Sequence, residues 1–199
     1  MSWKVFEKIA EGYDDWYNKH WDIYMAELSC LTSLIKRRDS PCLEVGVGTG
    51  RFSGPLGLEV GLDAAFSPLL IARERCLEVV QGIAEQLPFR DSSFECVVMV
   101  TSLCFLANPA RALREIKRVL RKRGHLYICF IPKESPLGQR YTQRGLNGDP
   151  IYSKAKFLGR EQVLELLSSE GFLVMDECHT LIEEGKPNFV CVEAISPRG

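Results

Sequence analysis

Apolar residues recur at spacings of three and four through the opening segment, roughly Trp3 to Ile35. Trp21, Tyr24, Met25, Leu28, Leu31 and Ile35 share one face there, a period that predicts helix. "KRRDSP" breaks the pattern, with Pro41 just before a short apolar run. That run, "CLEVGV", is too short for a core helix and predicts a buried strand. Short apolar runs and helical periods then alternate. "LEVGLD" predicts a second strand ending at Asp63, "LEVVQG" a third, "ECVVMVT" a fourth and "HLYICFI" a fifth. "PLLIARERC" reads as a helix with Ser67 as its cap and Pro68 at its first position. "NPARALREIKRVLRKRG" predicts another. Asn108 caps it, Pro109 opens it, Leu113, Ile116, Val119 and Leu120 face inward, and Gly124 stops it.

From Pro132 to Leu158 the pattern is irregular and polar. "REQVLELLSSEGF" is a further helix, and "LVMDECHT" and "NFVCVEAIS" are two last strands. Their link is too short for a crossover, so they pair antiparallel at one sheet edge. Strands alternating with helices predict an α/β fold. The expected form is a doubly wound, mostly parallel seven-stranded sheet with helices on both faces and an antiparallel last strand.

Composition narrows the function classes. The 199 residues suit one domain, and 46% apolar with 26% charged residues is ordinary for a globular protein. A net charge of −1 supplies no basic field for nucleic acid and no polybasic tail for a membrane. No apolar run is long enough to cross a bilayer, and the first residues lack the apolar core of a signal peptide. The eight cysteines form no CxxC and no cysteine–histidine spacing suited to zinc. They read as buried free thiols of a cytoplasmic protein, with no metal site.

The candidate chemistry sits in "CLEVGVGTGRF", Cys42 to Phe52, where glycines alternate with Val47 and Thr49 after the first strand. A strand, a glycine loop and a helix expose bare backbone to a ligand. Nucleoside triphosphates, dinucleotides and S-adenosylmethionine (SAM) all use such loops. The GxxxxGK[ST] loop is absent, which argues against the first. The dinucleotide pattern GxGxxG would need its third glycine at Arg51. Glu44, at the end of the first strand, would repel a pyrophosphate and suit an ammonium. SAM carries an ammonium and no phosphate. Asp63 can accept both ribose hydroxyls, which fits SAM and NAD alike.

Four blocks carry a resemblance: "LEVGVGTGRF", "VGLDAAFSPLLIARER", "GIAEQLPFRDSSFECVVMV" and "NPARALREIKRVLRKRGHLYI". In order and spacing they resemble the class I SAM-dependent methyltransferases, a Rossmann-like family. The nearest likeness is to its small-molecule group, which includes ubiquinone and menaquinone biosynthesis methyltransferases. The resemblance implies that Glu44, Gly46, Val47, Gly48 and Gly50 form the loop that holds the methionine portion. It implies that Asp63 binds the ribose and that Ala64, Ala84 and Glu85 lie by the adenine. Thr101 and Ser102 would approach the sulfonium. "AEGYDDWY" resembles the N-terminal helix whose aromatics close over the cofactor, which marks Tyr13. Ile83 departs from the family, which often has Asp there, and Ala65 stands where a capping Ser is common.

The expectation is then one methyltransferase domain over residues 1–199, with 1–38 as a helical lid and 132–158 as a variable substrate cap. It transfers methyl from SAM to a small-molecule acceptor. Trp16, Tyr141, Tyr152 and Lys154 are candidates for the acceptor side. Of the histidines, His20 alone is expected near the cavity mouth, and Cys104 near the methyl group. Two rivals stay open: a SAM-binding protein without turnover, acting as a regulator or partner subunit, and a nicotinamide oxidoreductase.

Overall fold

The computed structural model describes residues 2–35, 41–75 and 77–197. The short apolar runs become strands β1 (Cys42–Val45), β2 (Val60–Asp63), β3 (Glu78–Gln81), β4 (Phe94–Val100), β5 (Leu120–Phe130), β6 (Leu173–Glu183) and β7 (Lys186–Ile195). They form one sheet in the order β3-β2-β1-β4-β5-β7-β6. β1 to β5 are parallel, and β7 runs antiparallel between β5 and β6. From β1 the chain builds outward through β2 and β3, then returns to lay β4 and β5 on the other side. Such a reversal opens a crevice beyond the strand ends, where ligands of open α/β sheets bind.

Strand alternation sends successive side chains to opposite faces. Leu43, Val45, Val97 and Met99 pack on one face with helices α5 (Pro109–Val119) and α7 (Arg160–Ser169). Cys42, Cys96, Val98 and Val100 face helix α2 (Trp21–Leu34) and Tyr17 of α1 (Phe6–Lys19). The remaining helices are α3 (Ser53–Leu56), α4 (Phe66–Glu74) and α6 (Pro136–Leu146).

Several expectations need correction. The opening helix breaks at His20, whose φ of −124° and ψ of 50° end α1 and start α2. The break shifts the buried face to Tyr24, Glu27, Cys30, Leu31 and Leu34, leaving Trp21 56% exposed. Most of "KRRDSP" lies outside the described residues. Residues 132–158 are not irregular throughout. Ser135 accepts a hydrogen bond from the N–H of Gly138 and Pro136 opens α6. Helix α5 ends at Val119, and Gly124 lies inside β5.

Ser67 does not cap α4. Its start is capped by Glu7 of α1, whose carboxylate accepts from the N–H groups of Phe66 (2.6 Å) and Ser67 (2.9 Å) and from the Ser67 hydroxyl (2.7 Å). Those hydrogen bonds hold the Glu7 carboxyl below its usual range.

The cysteines also depart from the free-thiol reading. Cys30–Cys178, Cys42–Cys96 and Cys129–Cys191 are disulfide-bonded. Cys42 and Cys96 are register partners on β1 and β4, as are Cys129 and Cys191 on β5 and β7. Cys104 is free, and Cys76 lies outside the described residues. The pairing removes the reason for assigning a reducing compartment. No helix among the described residues is long and apolar enough to cross a membrane, and no cluster there could hold a metal ion.

Candidate functional site

The loop after β1 turns sharply because Gly46 and Val47 both donate their N–H groups to the carbonyl of Leu62, at 2.7 and 3.0 Å. Gly46 sits at φ +78°, and a Cβ there would lie 2.5 Å from Cβ of Ser102. Ser102 belongs in that place, since its hydroxyl donates to the Val45 carbonyl at 3.0 Å. Gly50, at φ +79°, lets the loop settle against α4 and the segment after it, where a Cβ would come within 3.3 Å of Ala72 and 2.9 Å of Leu77. Both positions need glycine for backbone angle and for room.

Above this loop opens a cavity of about 410 Å³. Gly46, Gly48, Asp63, Ala64, Ala84 and Glu85 line it, with Thr101 and Tyr13 at one end. Asp63 Oδ2 accepts from the N–H of Gly48 at 2.9 Å, and Oδ1 from the N–H of Ala65 at 2.8 Å. Burial raises its pKa, and the two N–H groups pull against that rise. Each oxygen keeps lone-pair capacity toward the cavity. Glu85 Oε1 accepts from the N–H groups of Ala107 and Asn108, at 2.9 and 3.1 Å, and so braces the opposite rim. Thr101 stands at φ +50°, a rare angle for a β-branched residue and one that clusters at functional sites.

The cavity also has walls that the local motifs did not mark. Trp3, Phe6 and Ala10 line it together with Tyr13. Their spacing of three, four and three is one helical face, so the signal was present. The Ser2 hydroxyl donates to the Phe105 carbonyl at 2.5 Å, drawing this segment over the opening.

A second cavity, about 560 Å³, lies beyond Thr101. Phe6, Tyr13, Thr101 and Phe105 belong to both walls. The Tyr13 and Tyr17 hydroxyls are 3.2 Å apart. Burial pushes the Tyr13 phenol up to about 12 and raises that of Tyr17 well above its usual value, so both stay neutral near pH 7. Trp16 and Cys104 line this space, and burial pushes the Cys104 thiol up to about 12. Tyr141 and Tyr152 stack in its wall with centroids 4.0 Å apart, and Arg144 lies 4.7 Å over the Tyr152 ring. Lys154 lines neither cavity.

Besides Lys154, four marked residues are not brought to either cavity. Glu44 is 1% exposed, lies on the far face of β1 and accepts a hydrogen bond from the Ser53 hydroxyl. Burial pushes its carboxyl up to about 8. The repulsion of a pyrophosphate expected from Glu44 therefore does not act in the first cavity, whose lining carboxyls are Asp63 and Glu85. Val47 packs under the loop with Leu69, Ala72 and Leu77, and Gly50 is buried against α4. His20 stacks on Trp16 at 4.4 Å and lines neither space.

Similarity to known proteins follows the same geometry. A family profile described as a methyltransferase domain matches residues 43–128. The chain is 35% identical over 180 residues to an uncharacterized protein of Methanocaldococcus jannaschii, a match covering 90% of this chain and 86% of that protein. A ubiquinone/menaquinone biosynthesis C-methyltransferase of Hahella chejuensis is 30% identical over 188 residues, covering 83% of this chain and 68% of the other. The chain spans 61% of the length of an uncharacterized Mycobacterium tuberculosis relative. A solved structure from Thermotoga maritima, described as a SAM-dependent methyltransferase and possible histamine N-methyltransferase, superposes with a TM-score of 0.89 at 31% identity. That match covers 98% of this chain and 100% of the other.

Proposed function

The chain belongs to the class I SAM-dependent methyltransferases, and on that premise we propose that it methylates a small, partly apolar molecule held in the second cavity. The observation that supports this is the shared wall: Tyr13 and Thr101 line both spaces. A donor in one space and an acceptor in the other would meet there.

The residues of the first cavity fit SAM. Its volume lies within the range of about 300–1,000 Å³ usual for small-molecule sites. A Cβ at Gly48 would meet nothing within 4 Å, so that backbone lies open to a ligand. In this reading Asp63 receives the ribose hydroxyls, and Gly46 and Gly48 admit the methionine portion. Ala64, Ala84 and Glu85 border the adenine, and Thr101 and Tyr13 stand by the methyl group. Residues 1–38 act as lid and 132–158 as acceptor-side cap of one domain, residues 1–199.

SAM, when bound, supplies a methyl group already activated on a positively charged sulfur. The chain's own work is to align the acceptor and keep water out. Phe6 and Phe105 present apolar rings at the junction, 5.1 Å apart edge to face. Tyr13, neutral near pH 7, offers a hydrogen bond there and does not act as a base.

The test is a metabolite extract incubated with the protein and SAM labelled in its methyl group. Label should move into a small-molecule product. Tight SAM binding with no label transfer from a broad extract would favour the SAM-binding partner without turnover.

A further inference from the structure

Helix α2 places a carboxyl on its buried face. Tyr24, Glu27, Leu31 and Leu34 follow at spacings of three and four, and Glu27 is 6% exposed. Its side chain lines the second cavity. No hydrogen bond or ion pair to Glu27 exists among the described residues, and it is not among the buried polar groups sealed away without a partner. The carboxyl therefore opens into the cavity. Burial in this aromatic space pushes it up to about 8.

A buried carboxyl without a partner is costly, and structures keep one where something completes it. The cations of this cavity do not. Arg140 is held by both oxygens of Glu183, at 2.6 and 2.8 Å. Arg144 is held by Asp149 at 2.7 Å. Both are already neutralised, and Glu27 alone among the carboxyls lining this space lacks a cation. Tyr13 and Tyr17, on which the Glu27 charge acts, offer ring faces and hydroxyls in the same wall. A carboxylate beside aromatic faces is the surrounding that an ammonium prefers.

We propose that Glu27 seats a basic amine of the methyl acceptor, so that the acceptor class is small amines with an apolar or aromatic body, bound as the ammonium. This rests on the reading of the second cavity as the acceptor site. The arriving cation returns Glu27 to its charged form, and the aromatic walls take the apolar body. The inference concerns recognition, whichever acceptor atom receives the methyl group.

Calorimetric titration on protein loaded with S-adenosylhomocysteine tests it. The probes are phenethylamine and its neutral counterpart 2-phenylethanol. The wild type should bind the amine at least about tenfold more tightly than the alcohol, as for a charge-assisted hydrogen bond in a water-poor site. Glu27→Gln, close in size, should abolish that preference and leave S-adenosylhomocysteine affinity unchanged, which also reports that it folds. Glu27→Asp, which keeps the charge, should retain part of it. Equal binding of the two probes, binding of neither, or an unchanged preference in Glu27→Gln would each overturn the proposal. Failure of S-adenosylhomocysteine to bind the wild type would instead overturn the cofactor reading, and so separates the two.

Discussion

Arg51 grips Asp14 with two nitrogens: Nε donates to Oδ1 at 2.8 Å and Nη2 to Oδ2 at 2.6 Å. Arg75 reaches the same Oδ2 at 2.9 Å and also bonds the carbonyl of Thr49. One carboxylate on α1 thus ties the lid helix to the glycine loop and to the end of α4. Arg51 occupies the position where a dinucleotide loop would want its third glycine, and here it is an anchor. Burial alone would raise the Asp14 pKa, but the hydrogen bonds from Arg51 and Arg75 outweigh it and hold the carboxyl well below the usual range.

Asp14→Ala should therefore destabilise the protein by about 1.5–3 kcal/mol, the scale of hydrogen bonds to charged groups. The pH dependence has a definite sign. A depressed folded pKa contributes stability that is present above the unfolded value of about 3.9 and is lost as pH falls below it. Denaturant titrations at neutral pH and at acid pH should show the gap between wild type and Asp14→Ala closing on the acid side. A gap that stays constant would mean that the carboxylate charge contributes nothing.

Glu7 should behave as a helix cap although it lies 59 residues from the helix that it caps. Glu7→Ala should cost about 0.5–2 kcal/mol, the range for loss of an N-cap. Glu7→Gln keeps one acceptor oxygen and should lose less. Cofactor affinity should fall as well, because α4 follows Asp63 and Ala64 directly. Melting curves and SAM titrations on the two variants check both effects.

Asp63→Ala should weaken SAM binding by about ten- to a hundredfold, since hydrogen bonds to a charged group contribute about 1.5–3 kcal/mol. The same change should also destabilise the unliganded protein, because Gly48 and Ala65 both lose their acceptor. The ribose role and the structural role are therefore not exclusive. Titration of SAM and denaturation of the apo protein, on the same variant, separate them. Unchanged SAM affinity would remove the ribose role.

Gly46→Ala meets two penalties, a left-handed angle and overlap with Ser102. It should lose both stability and SAM binding. Adding Ser102→Gly relieves only the overlap, so the double variant should recover part of the loss. No recovery would mean that the backbone angle dominates.

β1 and β4 were legible because each is a short, largely buried apolar run. The place of Asp63, Gly48 and Thr101 in the wall of the first cavity was legible because they lie at or just beyond strand ends, where the crevice opens. Glu44 was misplaced by the same alternation that defines its strand. Cys42 and Glu44 point to one face and Leu43 and Val45 to the other, so a buried carboxyl there can serve the scaffold. The Glu7 cap, the Arg51 anchor and the cysteine pairs were not legible. Each joins segments far apart in the chain and depends on strand order and register. Glu27 was legible in principle, on the period of three and four, once the break at His20 reset the buried face of α2.

The account turns on Tyr13 and Thr101 standing where donor and acceptor meet. A crystal structure of the protein with S-adenosylhomocysteine bound tests this most directly. The expected result places the ribose hydroxyls on Asp63 and the sulfur between Tyr13 and Thr101, facing the second cavity. A sulfur directed away from that junction, or a ligand bound outside the first cavity, would contradict it.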